Sequence, residues 1–201
     1  GTDGVLLGAL APGGHHILDI GTGTGVIAMM MAQRFGESEI VGIDIDEGAV
    51  AQAKENVAAS SFSERITILR EDVQSHQGVY DAIVSNPPFF SHSLKALDIQ
   101  RSRARHTDTL SYAELMLAAY RLLSSDGEFS VVVPFNYRQQ MEDEATFVGF
   151  FPHHVMGVCT VDKKTPKRYL LSFVKHPIEK DSCTITVGDR HYQSLTQDFY
   201  L

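Results

Sequence analysis

The sequence predicts an α/β fold built on a mostly parallel sheet flanked by helices, and three observations carry that expectation. Short, β-branched apolar runs recur at 16–20, 40–45, 66–69, 81–85 and 129–133. Each is closed by a turn signal or polar segment, as expected of strands buried on both faces. Helical patterns separate them, so strand and helix alternate and the strands are expected to run parallel. A glycine-rich loop also stands where the first strand passes into the first helix, where sheets of this kind place a ligand.

Taken in order, the strand at 16–20 leads into residues 26–32, which are wholly apolar and read as a helix. After the strand at 40–45, Asp46 is placed to cap a helix opening at Glu47. That helix carries Val50, Ala53 and Val57 on one stripe and turns Gln52, Glu55 and Asn56 away. Strands at 66–69 and 81–85 follow. Ser111-Tyr112-Ala113-Glu114 has capping-box spacing, and its helix is expected to bury Leu115, Ala118, Ala119 and Leu122 before Ser125-Asp126-Gly127 stops it. Beyond the strand at 129–133, runs at 155–161 and 169–175 read as longer strands joined by the basic loop 162–168. They form a closing hairpin and bring the expected strands to seven.

No repeat or linker interrupts the pattern, and 201 residues suit one hydrophobic core, so residues 1–201 are expected to form a single domain. Hydrophobic residues make up 43% and charged residues 21%, the balance of an ordinary globular protein. No apolar run approaches the roughly 18 residues of a membrane helix, and no signal segment opens the chain. A cytoplasmic protein, in contact with no membrane, is the expectation. The chain begins at Gly1 with a motif already under way, so a preceding segment is expected to be missing.

Cys159 and Cys183 lack metal spacing and read as reduced thiols packed as small apolar groups. His15, His16, His153 and His154 lack a metal-like carboxylate or thiol pattern and read as ordinary surface or core histidines, and no metal is expected. The formal net charge of −8 argues against binding nucleic acid through overall charge, while leaving room for a local basic strip.

Asp19-Ile20-Gly21-Thr22-Gly23-Thr24-Gly25 forms the glycine loop. Glycine admits close approach of a ligand to the backbone and tolerates turn dihedrals that other residues resist. Helix amides behind the loop favour a carboxylate or phosphate. A dinucleotide fingerprint needs a third glycine where this chain has Val26, which counts against a dehydrogenase. Asp44 lies 19 residues past Gly25, at the end of the second strand, placed to accept both ribose hydroxyl hydrogens of a nucleoside. Asp72 follows the third strand, where a carboxylate could meet an exocyclic adenine amine. Loop, ribose acid and adenine acid together describe a pocket for a nucleoside sulfonium, S-adenosylmethionine.

Asn86-Pro87-Pro88-Phe89 follows the fourth strand on the same sheet edge. Adenine N6 is a poor nucleophile because its lone pair is delocalised into the ring. If the Asn86 side-chain oxygen and the Pro87 carbonyl each accept an amine hydrogen, the nitrogen is steered toward tetrahedral geometry and its growing positive charge is stabilised. The prolines fix φ and hold the loop rigid for in-line transfer. Phe89 is expected to stack on the planar substrate, worth roughly 1–3 kcal/mol per base, with Phe90 in the core.

The tetrapeptide resembles the NPP[YF] motif of amino methyltransferases that act on adenine in nucleic acids or on glutamine in proteins. Gly1-Thr2-Asp3-Gly4-Val5-Leu6-Leu7-Gly8, Ala104-Arg105-His106-Thr107 and the ending Leu195-Thr196-Gln197-Asp198-Phe199-Tyr200-Leu201 are similar, more narrowly, to bacterial enzymes that methylate N6 of adenine 37 in tRNA1(Val). The resemblance covers essentially the whole chain and implies a Rossmann-like class I methyltransferase fold. It implies that Thr2 and Asp3 lie beside the methionine part of the cofactor with Asp19, Gly21, Gly23 and Gly25 beneath it. Asp44 would then hold the ribose, Asp72 the adenine, and Asn86, Pro87, Pro88 and Phe89 the target amine. A related enzyme carries tyrosine where this chain has Phe89, which removes a hydroxyl and keeps the stacking face; the family's usual basic and aromatic N-terminal segment is expected to be missing here.

Two basic clusters are candidates for tRNA phosphate contacts, which position RNA without reading its sequence. One comprises Lys95, Arg101, Arg103 and Arg105 with His106, the other Lys163, Lys164, Lys167 and Arg168. A monomer acting on tRNA is the expectation. Methylation of a protein glutamine or of adenine in rRNA or DNA, and a module that only binds the cofactor, are the alternatives.

Overall fold

The computed structural model describes residues 1–88, 110–161 and 164–199. Their strands are β1 His16–Ile20, β2 Glu39–Asp44, β3 Ile66–Arg70, β4 Tyr80–Ser85, β5 Leu123–Pro134, β6 Phe151–Cys159, β7 Arg168–Val174 and β8 Asp181–Thr186. Their helices are α1 Thr2–Leu10, α2 Val26–Arg34, α3 Glu47–Ala58, α4 Tyr112–Leu122, α5 Arg138–Val148 and α6 Arg190–Thr196.

The strands form one sheet in the order β3-β2-β1-β4-β5-β7-β6-β8. The first five pair in parallel, as the alternating pattern predicts. Chain order reverses between β1 and β4, which opens a crevice between their carboxyl ends, the place where such sheets bind ligands. Because β1 and β4 are covered on both faces, successive residues serve opposite cores: Ile17 and Val84 pack with Leu7, Ile27 and Val50, while Leu18 and Ile83 pack with Leu115, Met116 and Met141. Continuous apolar strands are the sequence signature of that double burial.

β6 and β7 pair antiparallel, and so do β5 and β7, in keeping with the expected hairpin. The sheet has eight strands rather than seven, because β8 adds to β6 in parallel at the edge. Four of its six residues are exposed and Ile185 is its buried apolar anchor. A strand so polar leaves no hydrophobic pattern to read. On it Cys183 is exposed, so only Cys159 matches the expected buried thiol.

Ser125-Asp126-Gly127 does not form a stop turn. Strand β5 starts directly at Leu123 and runs through these residues. Gly127 is there for close approach: an added Cβ would come within 2.8 Å of the Asp81 carbonyl oxygen on β4. β6 also begins earlier and ends earlier than the expected 155–161. The short helix α1 packs on α2 through Gly8, where an added Cβ would sit 2.8 Å from Met30 Sδ.

Candidate active site

The glycine loop leaves β1 and is held by a turn of its own, the Gly25 amide donating to the Thr22 carbonyl at 2.9 Å, and by its neighbours. Gly21 and Thr22 donate their amides to the Ile43 carbonyl on β2, at 2.9 and 3.0 Å. Gly23 donates to Asp44 Oδ2 at 2.9 Å, while Asp44 Oδ1 accepts from the Asp46 amide at 3.0 Å. Asp44 therefore ties the end of β2 to the loop, and Asp46 caps α3 by accepting from the Ala49 amide, as its sequence position predicts. Gly21, Gly23 and Gly25 all have positive φ, at 69°, 55° and 79°. A Cβ added at Gly21 or Gly23 would meet nothing, so the loop presents bare backbone to open space. Gly25 faces Ala53 of α3 instead.

Asp19 lies wholly buried beneath this loop. Its Oδ2 accepts from the Thr22 hydroxyl at 2.7 Å, and Oδ1 makes no hydrogen bond among the described residues. Burial pushes the carboxyl up to about 7, the Thr22 bond only partly offsetting it and the Asp44 charge adding to it. A buried carboxyl so unsettled is a feature of ligand sites.

Asn86 leaves β4 directly across the crevice from the loop. Its neighbour Ser85 fixes that placement by donating its hydroxyl to the Ile20 carbonyl at 2.9 Å, a buried bond that ties the ends of β1 and β4 together. The Asn86 side-chain oxygen is sealed from solvent and has no hydrogen-bond partner among the described residues. A buried acceptor left in this way costs about 1–3 kcal/mol unless a ligand supplies the donor. Helix α1 closes the side: a Cβ added at Gly4 would stand 3.9 Å from Asn86 Nδ2. Pro87 is buried and Pro88 exposed. Phe89 and Phe90 lie outside the described residues.

Asp72 sits on the same edge beyond β3, exposed, with Oδ1 accepting from the Gln74 amide at 2.9 Å. Thr2 is exposed at the start of α1. Asp3 pairs with Arg168, Nε to Oδ2 at 2.5 Å, so two residues expected in separate roles, cofactor and RNA, meet across the site mouth. Lys164 and Lys167 are exposed on the loop between β6 and β7. Because Pro134 at the end of β5 pairs with Arg168, that loop stands on the carboxyl edge beside the crevice. Lys95, Arg101, Arg103, Arg105, His106 and Lys163 lie outside the described residues.

The linear reading missed Ser85 and a cavity of about 550 Å³ lined by Phe135, Asn136, Arg138, Gln139, Glu142 and Tyr169. The Arg138 guanidinium lies 4.4 Å from the Tyr169 ring centre, and Phe135 is half exposed beside it. This aromatic and cationic wall begins just past the end of β5, one strand over from Asn86. The Phe135-Asn136-Tyr137 run is its one sequence clue, polar and aromatic residues directly after a buried strand.

A family model described as methyltransferase small domain matches residues 2–149. A protein of Bacteroides thetaiotaomicron named tRNA1(Val) (adenine(37)-N6)-methyltransferase is 41% identical, over 100% of this chain and 90% of its own length. A protein of Phocaeicola vulgatus with the same name is 44% identical over the same shares. Among solved structures, a predicted O-methyltransferase from Agrobacterium tumefaciens superposes with a TM-score of 0.76 at 16% identity, over 97% of this chain and 95% of that one. TrmN from Thermus thermophilus superposes with a TM-score of 0.60 at 25% identity, over 82% of this chain and 45% of that one.

Proposed function

The chain belongs to the methyltransferase small domain family, among relatives named tRNA1(Val) (adenine(37)-N6)-methyltransferase, and from that premise we propose that it methylates N6 of adenine 37 in tRNA1(Val) with S-adenosylmethionine as donor. The observation that carries the reading is the Asn86 side-chain oxygen, a buried acceptor without a donor among the described residues at the crevice between β1 and β4. In this reading the protein acts in the cytoplasm as a monomer of one domain on a tRNA partner. Among the described residues no helix is long and apolar enough to cross a membrane.

The residues present fit the cofactor. Bare backbone at Gly21 and Gly23 leaves room for it, Asp44 stands at the strand end where a ribose would lie, and Asp19 Oδ1, without a hydrogen-bond partner among the described residues, lies beneath the loop. Thr2 and Asp3 on one side and Asp72 on the other complete the assignment. When bound, the cofactor supplies an electrophilic methyl on a sulfonium. Asn86 Oδ1 and the Pro87 carbonyl each accept one hydrogen of the target amine, which returns the lone pair to nitrogen and directs it at the methyl carbon. Those acceptors would stabilise the positive charge that grows on nitrogen as it takes the methyl, until it loses a proton to solvent. An adenine in an anticodon loop is unpaired, so turning it into the crevice costs less than extracting it from a duplex. Phe89 stacks on the base, and the Phe135 and Tyr169 wall is placed to meet its neighbours.

The test is transfer of labelled methyl to unmodified tRNA1(Val), read as N6-methyladenosine at position 37. Label found only in protein or DNA overturns the reading. Asn86→Ala should slow transfer by roughly 100-fold or more while cofactor affinity stays nearly unchanged, the scale of removing one preorganised polar contact. Undiminished turnover in that variant would remove Asn86 from the chemistry.

A further inference from the structure

On the face of the sheet away from α4 and α5, Glu128 of β5 meets His153 and His154 of β6. Consecutive residues of a regular strand point to opposite faces, so a His-His pair should divide. Here the pairing of β6 with β7 shifts register between Pro152 and Val155. Pro152 opposes Phe173 and Val155 opposes Leu171, which leaves both histidines against the single residue Ser172. The bulge turns them the same way, with ring centres 3.7 Å apart. Bulges re-aim side chains in this manner and recur at functional sites. The His154 amide donates to Ser172 Oγ at 3.1 Å, which fixes the bulge to β7.

His153 Nδ1 lies 3.0 Å from Glu128 Oε2. One ligand atom from each of Glu128, His153 and His154 lies within 4.8 Å of the others. Tetrahedral ligands at about 2.0–2.1 Å from a zinc ion are separated by roughly 3.3 Å, so small side-chain rotations close the set around an ion. Two further observations point to a ligand. Glu128 Oε1 is sealed from solvent without a hydrogen-bond partner among the described residues, although its side chain is 15% exposed. Asp181 of β8 brings a second carboxylate to within 3.6 Å of His154 Nδ1.

We propose that His153, His154 and Glu128 bind a divalent transition ion of the zinc class, with Asp181 or water at the fourth position. Two imidazoles and a carboxylate are donors suited to such an ion. The ion joins β5 to β6 across β7 and, through Asp181, draws in the polar edge strand β8, which has little apolar surface of its own to hold it. Glu128 pairs with Ala82 early in β4, so the site lies toward the amino-terminal end of the parallel strands, away from Asn86. It is a structural clamp, separate from methyl transfer. Glu128 and His153 are 25 residues apart, which is why linear spacing shows no ligand pattern.

The protein, stripped with chelator, is titrated with zinc chloride by calorimetry and with cobalt chloride by visible absorption. One equivalent of each should bind, with cobalt bands of a low-coordinate nitrogen–oxygen site and a melting temperature raised by about 5 °C or more at a hundredfold excess over Kd. His154→Gln and Glu128→Gln should each weaken zinc binding at least about tenfold. His16→Gln serves as the control, since His16 is exposed beside Glu39 and Asp81 at 3.7 and 3.9 Å, and should leave binding unchanged. Should Glu128→Gln fail to fold, the half-exposed His154 carries the test alone. Absence of saturable binding, or binding equally tight in His154→Gln, overturns the proposal.

Discussion

Asp19 carries the sharpest electrostatic tension among the described residues. Its carboxyl is raised from 3.8 to about 7 by burial first, against the Thr22 hydroxyl bond. The folded state thus holds the proton more tightly than the unfolded state. The associated stability is fully present below pH 4 and is lost as pH rises to about 7, amounting to on the order of 4 kcal/mol. Asp19→Asn keeps an oxygen for Thr22 and removes the titration. Denaturant unfolding should therefore show it nearly equal to the parent near pH 4 and more stable above pH 7; a variant less stable at every pH would place the tension elsewhere. The same substitution should weaken cofactor binding if a cationic ligand uses the ionised carboxylate. A site that strains the free protein and is relieved by its ligand is a common trade of stability for function.

At the scale of single elements, local rules and tertiary contact compete measurably. Ser111 and Glu114 close a full capping box on α4, with Glu114 Oε2 accepting from the Ser111 amide at 2.8 Å and Ser111 Oγ accepting from the Glu114 amide at 3.2 Å. The Ser111 hydroxyl and amide hold the Glu114 carboxyl below its usual range. Ser111→Ala should lower stability by about 1 kcal/mol in thermal or chemical unfolding. Gly8 of α1 tests the opposite case. Alanine is favoured over glycine in a helix interior by up to about 1 kcal/mol. Its Cβ at this position would stand 2.8 to 3.0 Å from three atoms of Met30, however, and such overpacking costs about 1–3 kcal/mol. The clash prevails, and Gly8→Ala should lower the melting temperature; a rise would mean that α1 can lift from α2 at little cost.

For the molecule as a whole, net charge of −8 makes any approach to RNA a matter of where the positive charges stand. Lys164 and Lys167 project from the loop beside the crevice, while Arg168 of the same cluster is paired with Asp3. Replacing both lysines with alanine should weaken tRNA binding and lower the slope of log affinity against log salt by about 1–2, close to 0.7–0.9 per phosphate contact. Cofactor affinity should not move. Unchanged tRNA affinity at every salt concentration would take this loop out of the interface.

The amino-acid order alone determined the parallel strands, the glycine loop, the caps at Asp46 and Ser111, and the placing of Asp19, Asp44 and Asn86 near the ends of β1, β2 and β4. Those features rest on periodicity and on residues whose backbone needs are local, and both are written in neighbouring positions. Only the tertiary structure decided that β8 joins the sheet, that Gly127 serves a close strand contact, and that Ser85 ties β4 to β1. It likewise brought Arg168 to Asp3 and gathered Glu128, His153 and His154 at one bulge. Each of these depends on pairing between segments distant in the chain, and a register shift of one residue would send the same side chain to the opposite face.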